Sequence, residues 1–134
     1  MRIDTLYIER GVENEPATQK IRAQLQSKKT EIIDDYQDFF SRKKTPYLAK
    51  RTEKNLFIAA KKGALVKEAP DAYGFGADEP HYYYIHAYNC VYECEYCYLQ
   101  GYFSSPDLVL FVNHDEILAA MEETLAKRRD KRVW

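Results

Sequence analysis

Residues 88–103, "YNCVYECEYCYLQGYF", hold all three cysteines of the 134-residue chain, Cys90, Cys94 and Cys97, within eight positions and surround them with tyrosine. An odd count of neighbours this close is poor material for a disulfide framework, so the thiols read as reduced and as ligands. Soft thiolates select zinc, Cu(I) or an iron-sulfur cluster. A structural zinc site is closed by four ligands, and His86, four residues before Cys90, or His81 would supply the fourth. Structural iron-sulfur clusters usually take four cysteines. Three, with no fourth in the chain, point to a cluster that keeps one iron open to an outside ligand.

The flanking sequence is of α/β type. "HYYYIHAY" (81–88) is a run of aromatic and β-branched residues that predicts one strand leading into the cysteines. "LVLFVN" (108–113) reads as an apolar strand buried on both faces, of the parallel-sheet kind. A helix is expected to follow, with Asn113 as N-cap, Glu116 three residues on, and Leu118, Met121 and Leu125 on one apolar face. Upstream, "IDTLYIE" (3–9) predicts a strand, Pro16 opens a helix carrying Ala17, Ile21 and Leu25 to about Lys28, and residues 30–36 predict a second strand. Residues 55–70 form two apolar runs around Gly63, read as a hairpin or bent strand. The basic stretch 41–54 is expected to be an exposed connection, and 71–80 a turn-rich linker whose Gly74 and Gly76 lack the third glycine of a phosphate loop.

With 20 basic and 21 acidic side chains the chain has no polycationic surface, so any nucleic-acid contact must be local. The cations of residues 126–132 are explained by the end of the last helix, where the dipole favours them. No window approaches the roughly 18 apolar residues of a membrane span, and the expectation is a soluble cytoplasmic protein without a membrane partner.

The spacing Cys90-x-x-x-Cys94-x-x-Cys97, with Tyr96 just before the last cysteine, resembles the cluster signature of the radical S-adenosylmethionine (radical SAM) enzymes. "CEYCYLQ", a short loop, "LVLFVN" and "HDEILAA" resemble the spore photoproduct lyase family within it, densely over residues 90–118 and loosely before residue 82. The resemblance implies a [4Fe-4S] cluster on Cys90, Cys94 and Cys97 whose open iron is chelated by S-adenosylmethionine. It also implies an adenosyl radical that abstracts hydrogen from a thymine dimer, damaged DNA as partner, and an electron donor such as flavodoxin or ferredoxin. Tyr96 and Tyr98 match residues implicated in returning the hydrogen atom, and Tyr96 is expected at the cofactor as well. The implied fold is an N-terminal α/β region, 1–80, and the start of a partial (β/α) radical SAM barrel, 81–134, with the cluster loop at a C-terminal strand end.

The family's hydrogen-donor cysteine lies downstream of the cluster, and none follows Cys97 here; family members also run to more than twice this length. The chain is therefore read as an incomplete, truncated piece, inactive by itself, with "LVLFVN" left at an unpaired sheet edge. A small zinc-binding interaction module and an inactive truncated product are the competing readings. Eight of the twelve tyrosines lie between Tyr82 and Tyr102. Tyr82, Tyr83, Tyr84, Tyr88, Tyr92 and Tyr102 are read as core packing and cluster shielding, and His81 and His86 as packing or supporting hydrogen-bond groups.

Overall fold

The computed structural model describes residues 2–40, 55–70, 79–92, 94–99, 101–103, 105–128 and 132–134. The basic stretch 41–54 and residues 71–78 of the turn-rich linker lie outside these. The chain is α/β and divides into two compact units, residues 1–60 with 86–112, and residues 61–85 with 113–134.

The first unit is a five-stranded sheet. Its strands are β1 (Arg2–Glu9), β2 (Gln26–Ile33), β3 (Asn55–Ala59), β6 (Ala87–Tyr88) and β7 (Leu108–Phe111), with α1 (Pro16–Gln24) crossing between β1 and β2. The spatial order is β2-β1-β3-β7-β6, in which the first four run parallel and β6 pairs antiparallel to β7. The period-two alternation of the strands sorts the side chains into rows. Leu6, Leu56 and Leu108 are register partners, as are Ile8, Ile58 and Leu110, and both rows join the core that receives Ala17, Ile21 and Leu25 of α1. Between them runs the row Tyr7, Phe57, Val109 and Tyr88. It belongs to an aromatic layer in which Tyr7 stacks on Phe57 at 4.6 Å and Phe40 meets Phe57 at 6.4 Å.

Two expectations change here. α1 stops at Gln24 instead of near Lys28, because Leu25 turns extended (φ −94°, ψ 133°) and Gln26 and Ser27 pair with Arg2 and Ile3. Ladder pairing overrides a weak helical pattern in the polar run "QSKKTE". β7 is no edge, since β6 covers it. The edge on the other side is β2, guarded by Lys28 and Lys29 as edge strands commonly are.

The second unit pairs β4 (Val66–Glu68) antiparallel with β5 (Tyr82–Tyr84) and carries α2 (His114–Ala126). The predicted strand 81–88 is thus two strands, β5 and β6, in different sheets, and residues 55–70, expected as a hairpin or bent strand, are instead β3 and β4, which also join different sheets. The α2 face is shifted: Ile117 is its buried residue, whereas Leu118 and Leu125 are more than half exposed. Asn113 precedes the helix without capping it. Its amide instead accepts from the Lys61 N–H at 2.7 Å and donates to the Lys61 carbonyl at 3.2 Å and to Glu116 at 2.8 Å. Among the described residues no helix is long and apolar enough to cross a membrane.

Candidate metal-binding site

β6 is only two residues long because Asn89 ends it in the left-handed region, at φ 59°. Asparagine tolerates that conformation better than most residues, since its short polar side chain can bond locally. The chain then leaves the sheet, carries the cysteines, and returns at Ser105 to enter β7. Because β6 runs against β7, the loop stands at the C-terminal end of its own strand but at the N-terminal end of the four parallel strands. That differs from the barrel-like placement expected from sequence, and the antiparallel register Ala87 to Leu110 and Tyr88 to Val109 is the reason.

Within the loop, Cys94 to Cys97 form a turn closed by the Cys97 N–H donating to the Cys94 carbonyl at 3.0 Å. A second turn follows, in which Tyr102 N–H reaches the Leu99 carbonyl at 3.1 Å, with Gly101 at φ 77°, where a side chain would be strained. Phe103 then folds back onto the sheet, 4.7 Å from Tyr88 and 5.6 Å from Phe40. The tip is otherwise open: Tyr92, Tyr96, Tyr98 and Tyr102 are 73%, 91%, 96% and 75% exposed. Core packing therefore describes Tyr88, which is enclosed by Tyr36, Phe40, Phe103 and Phe111, and does not describe Tyr92 or Tyr102. In the second unit Tyr83 and Tyr84 are also nearly half exposed, while the Tyr82 hydroxyl accepts from Arg128 Nε at 3.1 Å.

None of Cys90, Cys94 and Cys97 is in a disulfide; Cys90 is exposed and the other two half-buried. Among the described residues, no three His, Cys, Asp or Glu side chains stand close enough together to hold a metal ion, so neither the three thiols nor the thiols with His86 form a finished site. The donor set itself fits a thiolate-ligated cluster: three reduced thiols, borne on one exposed loop, with chemistry suited to iron-sulfur or zinc. His86 lies at the start of the β6 pairing, where its carbonyl accepts from Phe111 N–H at 3.0 Å. His81, in the second unit, stacks on Trp134 at 6.0 Å and bonds through Nδ1 to the Glu79 carbonyl at 2.8 Å, a packing role as its sequence suggested.

Beside the loop's root an apolar groove of about 260 Å³ opens between α1 and the β6 edge, lined by Ile21, Leu25, Leu56, Tyr88, Val91 and Leu108. On the aromatic side, Glu9 at the end of β1 is 3% exposed and accepts from the Tyr36 N–H at 3.0 Å, which anchors the 3-10 turn Tyr36–Asp38 that carries Tyr36 under the loop. Periodicity gave no signal for this carboxylate.

A family model described as spore photoproduct lyase matches residues 1–133. No curated protein matches significantly. Among solved structures, a cysteine-to-alanine variant of spore photoproduct lyase with dinucleoside spore photoproduct is similar over 93% of this chain and 36% of that one, at 17% identity and a TM-score of 0.61. A doubly substituted variant with bound AdoMet and dinucleoside spore photoproduct is similar over 98% of this chain and 38% of that one, at 16% identity and a TM-score of 0.61. At this identity the likeness is one of fold, and the chain spans little more than a third of the length of those structures.

Proposed function

The chain belongs to the spore photoproduct lyase family, and from that premise we propose that it carries the cluster-binding portion of a radical SAM lyase that reverses thymine-dimer lesions in DNA. Cys90, Cys94 and Cys97 would hold a [4Fe-4S] cluster through three irons and leave the fourth to S-adenosylmethionine. When bound, that pair supplies the one-electron chemistry that starts hydrogen abstraction from the lesion.

The chain's own residues have narrower tasks. The three thiolates bind, and metal binding and ordering of their loop become one event, as is usual where ligands are not pre-gathered. Tyr96 and Tyr98 flank Cys97 and keep their phenols in solvent, available to return a hydrogen atom to the product. The thymine lesion would leave the duplex stack to reach them, as bases do in other base-modifying enzymes. An electron donor such as flavodoxin or ferredoxin would reduce the cluster.

The observation that carries this reading is the three-cysteine loop at radical SAM spacing in a chain of this family. The test is anaerobic reconstitution with iron and sulfide, followed by visible absorption and iron, sulfide and zinc analysis. Four irons and four sulfides per chain is the expected result for such a cluster. One zinc per chain and no visible absorption would replace the cluster with a zinc module.

A further inference from the structure

One side chain joins the two ends of the cysteine loop. Asn89 Nδ2 donates to the Ser105 carbonyl and to the Asp107 carbonyl, each at 2.7 Å, across 16 and 18 residues of chain. The acceptor side is itself held in place. Asp107 Oδ1 accepts from Asn55 Nδ2 at 2.9 Å, and Asp107 Oδ2 accepts from Ser105 Oγ at 2.5 Å. Ser105 and Asp107 are buried, at 5% and 9% exposure, so the bond between them is sheltered from competing water, while the bonds from Asn89 and Asn55 are part-buried. The network ties the end of β6, the approach to β7 and the first residue of β3 at one end of the sheet. Cys90 is the next residue along.

The geometry points to Asn89 as a positioning residue for the metal site: its amide clasp to Ser105 and Asp107 fixes the root of the loop and so the place from which Cys90 is presented. This rests on the reading of Cys90, Cys94 and Cys97 as cluster ligands. Gathering three thiolates costs loop entropy, and a loop whose ends are already joined has less to lose. The clasp leaves the fold to the hydrophobic rows and acts on the loop.

Asn89 also supplies the left-handed backbone that turns the chain out of β6, and the two roles separate by substitution. Asn89→Gly keeps φ near +59° at no steric cost and removes the clasp. Asn89→Asp keeps the shape and sets a carboxylate against two carbonyl oxygens. In the metal-free chain, amide hydrogen exchange across residues 89–107 should quicken in both variants, while peptides from β1 and β3 exchange as in the wild type. In the reconstituted protein, cluster loss to a chelator should be about tenfold faster, the lower end of what removing a supporting partner of a ligand costs.

Unchanged exchange in the loop overturns the clasp, as does a cluster lifetime in Asn89→Gly equal to that of the wild type. A loss of protection spread evenly over the whole sheet also overturns it, because Asn89 would then be an ordinary stabilising residue. If the wild type itself takes up no cluster, the ligand reading fails and the exchange measurement alone decides the clasp.

Discussion

Tyr88 and Phe111 meet edge to face, with ring centroids 5.1 Å apart at 88°, so the residue that leads into the cysteine loop rests on a wholly buried residue of β7. Phe111 also meets the edge of Tyr36 at 5.6 Å, and Tyr88 stacks on Phe40 at 5.7 Å. The loop's footing is therefore an aromatic layer drawn from three separate stretches of chain, and its strength should pass directly into the order of the loop.

Replacing Phe111 by alanine should cost about 3–5 kcal/mol, the usual range for a buried phenylalanine. Phe111→Leu, which keeps most of the volume, should cost less. Urea unfolding followed by circular dichroism measures both. A loss under about 1 kcal/mol for the alanine variant would mean that the layer repacks and that the Tyr88 contact carries little.

Cys90→Ala, Cys94→Ala and Cys97→Ala should each abolish stable cluster retention after reconstitution, since two thiolates remain where three are needed. His86→Ala should leave iron content near the wild-type value. Iron and sulfide analysis on the four variants decides it. Equal metal loss in His86→Ala and the cysteine variants would favour a four-ligand zinc site.

The Thr18 hydroxyl in α1 is fully buried and has no hydrogen-bond partner among the described residues. A buried polar group in that condition is a cost, and valine has nearly the same shape. Thr18→Val should raise stability by about 1 kcal/mol. A lower urea midpoint in the variant would show that the hydroxyl is satisfied in solution.

Removing the Glu9 carboxylate with alanine orphans the Tyr36 N–H in a buried site and should cost about 1–3 kcal/mol, the usual penalty for an unmet buried donor. Glu9→Gln keeps an acceptor and should cost less. Denaturation midpoints of the two variants give the comparison, and equal losses would point to the charge of Glu9 as what matters.

Much of this was legible from residues alone, and the misses share a physical cause. β1, the start of α1 at Pro16 and the strand Leu108–Phe111 follow from local sequence: β-branched and aromatic residues in the first, Ala17, Ile21 and Leu25 at four-residue spacing in the second, and a continuous apolar run in the third. β2 begins within "QSK", which has no such pattern, and exists there because β1 offers it a ladder. The run 81–88 is uniformly strand-like, and only the placement of its halves against β4 and β7 breaks it. The cysteines announced themselves through spacing. The Asn89 clasp did not, since its acceptors are main-chain carbonyls 16 and 18 residues away, and a lone asparagine before a cysteine reveals nothing about them.

Tyr96 and Tyr98 provide the sharpest separation between fold and chemistry. At 91% and 96% exposure their rings bury almost nothing, so Tyr96→Phe and Tyr98→Phe should leave stability within about 0.5 kcal/mol of the wild type, as surface changes do. Phenylalanine provides no ionisable or hydrogen-donating hydroxyl, yet the thiolates are untouched, so iron and sulfide content should also hold. What should fall is the return of hydrogen. In any preparation that restores thymine from a dinucleoside spore photoproduct, the yield of repaired product per 5'-deoxyadenosine formed should drop in one or both variants. Chromatography of the two products from one anaerobic reaction measures that ratio. A ratio unchanged in both variants and in the double variant would remove the two tyrosines from the hydrogen path and leave them as exposed residues of the loop.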